Sequence, residues 1–173
     1  MIKKILESKG HKVGLIGTIQ NMIGDEIIPT SNTTPNAYDL NALFASMKEK
    51  GCTYAVMEVS SHALDQCRVY DLDFETAIFT NLTQDHLDYH GTMENYVDAK
   101  KELFYMCDYG VFNADDECVD RLMDGVTCKT VTYSVKNGVS DYIAKGVTCR
   151  SDGVNFELIG DSVIARVKLK TPG

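Results

Sequence analysis

Short apolar runs alternate with helix-period segments along this chain, and that alternation constrains its fold more than any other feature. Residues 54–59 form a run broken only by Glu58, residues 77–81 a second and residues 110–113 a third. Ahead of the first run, Leu40, Leu43, Phe44 and Met47 give one apolar face to a helix. Thr34-Pro35 reads as its cap and first residue, and Gly51 as its stop. A second helix is predicted over residues 92–107. Strands alternating with helices at this spacing predict an α/β fold, a mostly parallel sheet flanked by helices.

The flanks of this alternation read differently. Residues 2–9 look like a short helix stopped by Gly10, residues 12–19 like a buried strand, and residues 20–31 like a hairpin around Gly24-Asp25. From about residue 127 the runs 139–149, 154–159 and 162–170 are separated only by short Gly/Asp turns. That texture predicts a small antiparallel meander. The expected organisation over residues 1–173 is therefore an α/β part, 1–126, followed by a meander, 127–173.

Seventeen Lys and Arg against 25 Asp and Glu leave a net charge of −8, which argues against a nucleic-acid partner. The apolar runs are too short for membrane insertion, and Lys3 and Lys4 break the segment where a signal peptide would have its apolar core. A cytoplasmic location is expected. The six cysteines show no CxxC spacing and read as reduced, mostly buried thiols.

Open α/β sheets bind ligands at the carboxyl ends of their strands. Glu58 stands at such an end, followed by Ser60-Ser61-His62, and Asn81 is followed by Asp85, His86, Asp88 and His90. Glu58 is either a surface carboxylate or a ligand; its place in an apolar run favours the ligand. His86 and His90, four apart, would share a helix face, although nearby Asp85 and Asp88 suit a hard ion such as Mg²⁺ better than zinc. Lys100 falls in phase with the apolar positions Met93, Tyr96, Val97, Leu103 and Phe104, whereas Lys101 is turned about 100° toward solvent. Such a lysine either snorkels outward or is needed inside as a charge, a nucleophile or a modified group. Asn32-Thr33-Thr34-Pro35 is an ordinary helix start or an anion site, and Ser60, Gln66 and Arg68 add donors nearby. Together these residues point to an anionic substrate and a divalent cation, hence to phosphoryl or acyl-phosphate chemistry.

The strings KVGLIGT, NTTPNAYDL, VMEVSSHAL and FTNLTQDHLDYHGTMENYVDAK resemble the central, P-loop-NTPase-like domain of the Mur ligases, in particular the tripeptide-forming members. The matching strings run from about residue 12 to 104. The resemblance implies ATP-dependent addition of a diamino acid, diaminopimelate or lysine, to UDP-N-acetylmuramoyl-L-alanyl-D-glutamate in peptidoglycan synthesis. It also implies that Glu58 and His86 hold Mg²⁺, and that Lys100 is carbamylated and orients a metal. Asn32, Thr33, Thr34, Ser60, Gln66 and Arg68 would contact the UDP-muramoyl-dipeptide.

Two departures shape the expectation. The family's glycine-rich phosphate loop and the strand leading into it are not found in these residues, and the chain ends at Thr171-Pro172-Gly173, before a C-terminal domain. The N-terminal uridine-binding domain is likewise not found. The expectation is a partial central domain that does not ligate by itself. Alternatives are a non-catalytic module that binds the UDP-muramoyl-peptide, a related folylpolyglutamate- or cyanophycin-synthetase-type ligase, and a zinc hydrolase built on His86 and His90.

Overall fold

The computed structural model describes residues 1–136 and 138–170, so Thr171-Pro172-Gly173, where the chain ends, lie outside the described residues. The chain divides into two compact units, Met1–Leu72 and Asp73–Gly173.

The first unit runs α1 (Ile2–Ser8), β1 (Val13–Ile16), β2 (Asn21–Ile23), β3 (Glu26–Ile28), α2 (Ala37–Glu49), β4 (Tyr54–Met57) and α3 (Ser61–Asp65). Its four-stranded sheet has the order β3-β2-β1-β4. The β1–β3 strands are antiparallel, and Gly24 (φ 61°) makes the tight turn that joins β2 to β3. β4 lies parallel to β1, with Ile16 opposite Met57. This register brings residues 17–18 and Glu58 out at the same sheet end. Val13, Ile16, Ile23, Leu40 and Met47 are buried. Gly14 permits the packing of α2 onto β1, since a Cβ there would lie 2.2 Å from the Met47 sulfur.

Two expectations are corrected here. The α2 cap is Asn36, not Thr34: its side chain accepts the Asp39 N–H at 3.0 Å and donates to the Asp39 carboxylate at 2.8 Å. Thr34 is buried and its hydroxyl is committed to another strand end. The run around Glu58 is also not buried, for Tyr54 and Ala55 are exposed and so is Glu58 itself.

The second unit comprises β5 (Phe74–Phe79), α4 (Leu87–His90), α5 (Met93–Lys101), a 3₁₀ turn (Glu102–Tyr105), β6 (Cys107–Asn113), α6 (Val119–Met123), β7 (Lys129–Ser134), β8 (Tyr142–Arg150), β9 (Gly153–Gly160) and β10 (Val163–Leu169). Its sheet has the order β10-β9-β8-β7-β6-β5. Strands β5 to β8 are parallel, and β8 to β10 form the expected antiparallel meander. The fold is thus α/β with mixed sheets flanked by helices. Ala77, Phe79, Val97, Phe104, Phe112 and Leu122 form the core, with the Phe104 and Phe112 rings 4.4 Å apart.

The helix predicted over 92–107 is shorter. Thr92 caps α5 by accepting the Asn95 N–H, the helix tightens into the 3₁₀ turn after Lys101, and Cys107 already belongs to β6. All six cysteines are free, yet none is fully buried, and Cys67 and Cys149 are exposed. No helix among the described residues is long and apolar enough to cross a membrane.

Candidate functional site

In the first unit the candidate residues form one hydrogen-bonded network. Glu58 follows β4, and its backbone N–H donates to the Ile16 carbonyl at 2.9 Å, extending the β1–β4 ladder by one residue. Its Oε2 accepts two hydrogen bonds from Thr18, from the backbone N–H at 3.0 Å and from Oγ1 at 2.5 Å. Thr18 Oγ1 also lies 3.1 Å from Thr33 Oγ1. One residue on, the Thr34 hydroxyl donates to the Glu58 carbonyl at 2.9 Å and accepts the Ser60 N–H at 3.1 Å. Arg68 donates from Nη1 to the Thr34 carbonyl at 2.9 Å, and its Nε and Nη2 both reach the Gln66 side-chain oxygen. Ser60 caps α3 by accepting the Ala63 N–H. Thus Thr33, Thr34, Ser60, Gln66 and Arg68 are brought together with Glu58 by direct contacts.

Asn32 stands at the rim, exposed, its carbonyl accepting the Thr30 hydroxyl at 2.7 Å. It lines an open groove of about 400 Å³ together with Thr30, Ser31, Pro35, Asp39 and Leu43.

In the second unit, His86 and Lys100 gather around a buried ring, Tyr96. The Lys100 ammonium sits over that ring, 5.3 Å from its centre. His90 stacks on Tyr96 at 5.0 Å with the two rings nearly parallel, and His86 approaches it edge-on at 6.0 Å. Burial lowers the Lys100 pKa below the ordinary lysine value. Burial raises that of the Tyr96 phenol, and the Asp85 charge adds to the effect. Lys101 is half-buried like Lys100, so helical phase did not separate the two lysines as sharply as expected.

His86 is exposed and sits in the left-handed region (φ 55°), with Asp85 Oδ1 accepting its backbone N–H at 2.8 Å. For a residue with a Cβ that conformation costs roughly 1–2 kcal/mol. His90, by contrast, is buried against Tyr96 and Tyr89 and has a packing role. Among the described residues no group of three or more His, Cys, Asp or Glu is placed to hold a metal ion.

Whether Glu58 suits Mg²⁺ is tested by its own contacts. Oε2 accepts from two donors, while Oε1 accepts no hydrogen bond among the described residues and belongs to an exposed side chain. One anchored and one open carboxylate oxygen is a fitting donor for a hard cation.

Residues 1–173 match the family model described as the Mur ligase middle domain. This chain belongs to the Mur ligase family. It is 45% identical over 174 residues to a UDP-N-acetylmuramoyl-L-alanyl-D-glutamate–2,6-diaminopimelate ligase of Caldanaerobacter subterraneus, covering 100% of this chain and 36% of that protein. It is 43% identical over 182 residues to the protein of the same name from Bacillus cereus, covering 100% and 37%. A solved structure of such a ligase superimposes with a TM-score of 0.87 at 31% identity, over 96% of this chain and 35% of that one. This Mur ligase chain therefore spans little more than a third of the length of these relatives.

Thr18 of the network, and Gly17 beside it, are not singled out by the local sequence pattern. Thr18 and Gly17 lie in the KVGLIGT string, just past the end of a strand parallel to the one that carries Glu58. Adjacency of two parallel strand ends was the signal that would have found them.

Proposed function

We propose that residues 1–173 are the central domain of a cytoplasmic, ATP-dependent ligase of peptidoglycan synthesis that adds 2,6-diaminopimelate to UDP-N-acetylmuramoyl-L-alanyl-D-glutamate. The observation that carries this reading is 45% identity along the entire chain to a ligase of that name. The Glu58–Thr18–Thr33 network supports it, because it joins a candidate cation ligand to a candidate substrate loop in one unit.

In the reaction, an oxygen of the D-glutamate carboxylate attacks the γ-phosphorus of ATP, the bond to the bridging oxygen breaks, and ADP leaves. The acyl phosphate so formed is attacked at carbon by the neutral amine of diaminopimelate. Inorganic phosphate departs, the amine loses a proton, and an amide remains. Mg²⁺, when bound, supplies charge neutralisation for the transferring phosphoryl group.

Glu58, in the first unit, and His86, in the second, are each proposed as a Mg²⁺ ligand. Lys100 is proposed to react as a free amine with CO₂, releasing a proton and gaining the anionic carbamate that orients a metal. Its burial favours the neutral amine such a reaction needs. Thr33 and Ser60 are proposed to contact the substrate, with Asn32, Gln66 and Arg68 around them, while the buried Thr34, its hydroxyl committed to Glu58 and Ser60, holds the two segments together. Arg68 also braces the Thr34 carbonyl. No GxxxxGK[ST] loop occurs within residues 1–173, so a polypeptide of these residues alone is expected to form no product.

The test is ligation by the intact protein containing these residues, with ATP, Mg²⁺, UDP-N-acetylmuramoyl-L-alanyl-D-glutamate and either diaminopimelate or lysine. Mass spectrometry should find the diaminopimelate tripeptide in large excess over the lysine one. Equal products, or none, would refute the reading.

A further inference from the structure

We propose that Thr18 is a positioning residue that aims the Glu58 carboxylate and fixes Thr33 as a hydrogen-bond acceptor toward substrate. This rests on the reading of Glu58 as a Mg²⁺ ligand and of Thr33 as a substrate contact.

The argument is a count of protons. Ionised carboxylate oxygens only accept, and a hydroxyl has one proton to give. Thr18 Oγ1 lies 2.5 Å from Glu58 Oε2, a distance typical of an O–H donor facing a carboxylate, so its proton points to Glu58. The 3.1 Å contact between Thr18 and Thr33 must then run the other way, with Thr33 donating. The single proton of Thr33 is spent, and the hydroxyl offers only lone pairs to a ligand. It therefore suits an amide N–H or a hydroxyl of the substrate, not a phosphate or carboxylate oxygen.

The same count selects the metal-facing oxygen. Oε2 takes the Thr18 N–H as well as its hydroxyl, which leaves Oε1 for a cation. Gly17 makes the approach possible: a Cβ there would lie 3.3 Å from the Glu58 carboxyl carbon and 3.4 Å from Oε1. Thr34 ties the same strand end to the same loop through the Glu58 carbonyl. The metal ligand and the substrate loop are thus joined at two points, one through side chains and one through the backbone.

Thr18→Val keeps the shape and the backbone N–H and removes the hydroxyl; Thr18→Ser keeps the hydroxyl. In the intact ligase, Thr18→Val should raise the Mg²⁺ concentration for half-maximal ligation by about tenfold, the range seen when a metal ligand loses its supporting hydrogen bond. Thr18→Ser should recover most of that loss. Thr18→Val and Thr33→Val together should cost less than the product of their separate effects, as members of one network do. An unchanged Mg²⁺ requirement in Thr18→Val overturns the inference alone if Glu58→Gln still raises it. If Glu58→Gln leaves it unchanged too, the reading of Glu58 falls, and the inference with it.

The direction of the Thr33 bond is tested with a substrate analogue whose peptide amides are esters. Wild type should bind it more weakly than the amide substrate, and Thr33→Val should narrow the gap. An equal gap in both proteins would contradict an accepting Thr33.

Discussion

Lys100 holds its ammonium 5.3 Å from the centre of the Tyr96 ring, the same ring on which His90 stacks. A cation over an aromatic face is stabilised there, while its burial favours loss of the proton. The site thus holds the amine in place and makes its neutral form easier to reach.

If Lys100 acts as a carbamate, a permanent cation cannot replace it. Lys100→Arg keeps charge and length but cannot add CO₂, and activity in the intact ligase should fall by about a hundredfold or more, the upper range for residues that orient a metal. Retention of most activity would mean the site needs only a cation.

Gly17→Ala probes the space that the Glu58 carboxylate occupies. The new methyl would sit within 3.5 Å of three carboxyl atoms, so the side chain must shift by a few tenths of an ångström against its Thr18 donors. Ligation should drop by about tenfold, with far-UV circular dichroism unchanged. Full activity would show that ligation tolerates this displacement of the Glu58 carboxylate.

The cysteines differ in reactivity for a physical reason. Burial, and then the neighbouring Cys128, push the Cys107 thiol up to about 12, so at pH 8 it stays protonated and a poor nucleophile. Cys67 and Cys149 are exposed. Alkylation with iodoacetamide at pH 8, read by peptide mass spectrometry, should label Cys67 and Cys149 first and Cys107 last. Early labelling of Cys107 would contradict this packing.

Asp141 ties the start of β8 to β7, its carboxylate accepting the Thr132 N–H at 2.7 Å and the Thr132 hydroxyl at 2.8 Å. Those hydrogen bonds hold its pKa below the ordinary aspartate value. A lowered folded-state pKa stabilises the fold above the unfolded value, and that contribution is lost as pH falls through the folded one. Asp141→Ala should cost roughly 0.5–1 kcal/mol at pH 7, kept small by solvent screening of so exposed a group. Denaturant curves should show the gap closing as the pH falls below about 4. A gap that persists at pH 2 would assign the loss to another cause.

Much of the fold was legible because local chemistry and tertiary context agree. The Gly24 turn, the apolar face of α2 and the Gly/Asp turns of the meander each declare themselves within a few residues. The α2 start was misplaced by two residues. Thr-Pro is a good cap by composition, but Thr34 is claimed by Glu58 and Ser60, contacts 24 and 26 residues away. Lys129–Ser134 was passed over as a strand because its Lys, Thr and Ser lack an apolar run. Thr18 was invisible for a related reason: its role comes from a parallel strand pairing across 40 residues, which no local pattern encodes. Glu58, His86, Lys100 and the polar residues around them were picked out as unusual in their local pattern, but the pairings that organise them are tertiary.

The central claim is that the protein containing this chain activates a substrate carboxylate by phosphorylation. Isotope transfer tests it most directly. UDP-N-acetylmuramoyl-L-alanyl-D-glutamate labelled with ¹⁸O in the reacting carboxylate is incubated with ATP, Mg²⁺, diaminopimelate and the intact ligase, and the released phosphate is analysed. The account predicts one ¹⁸O in phosphate for each amide formed. Amide formation with no label in the phosphate would contradict it.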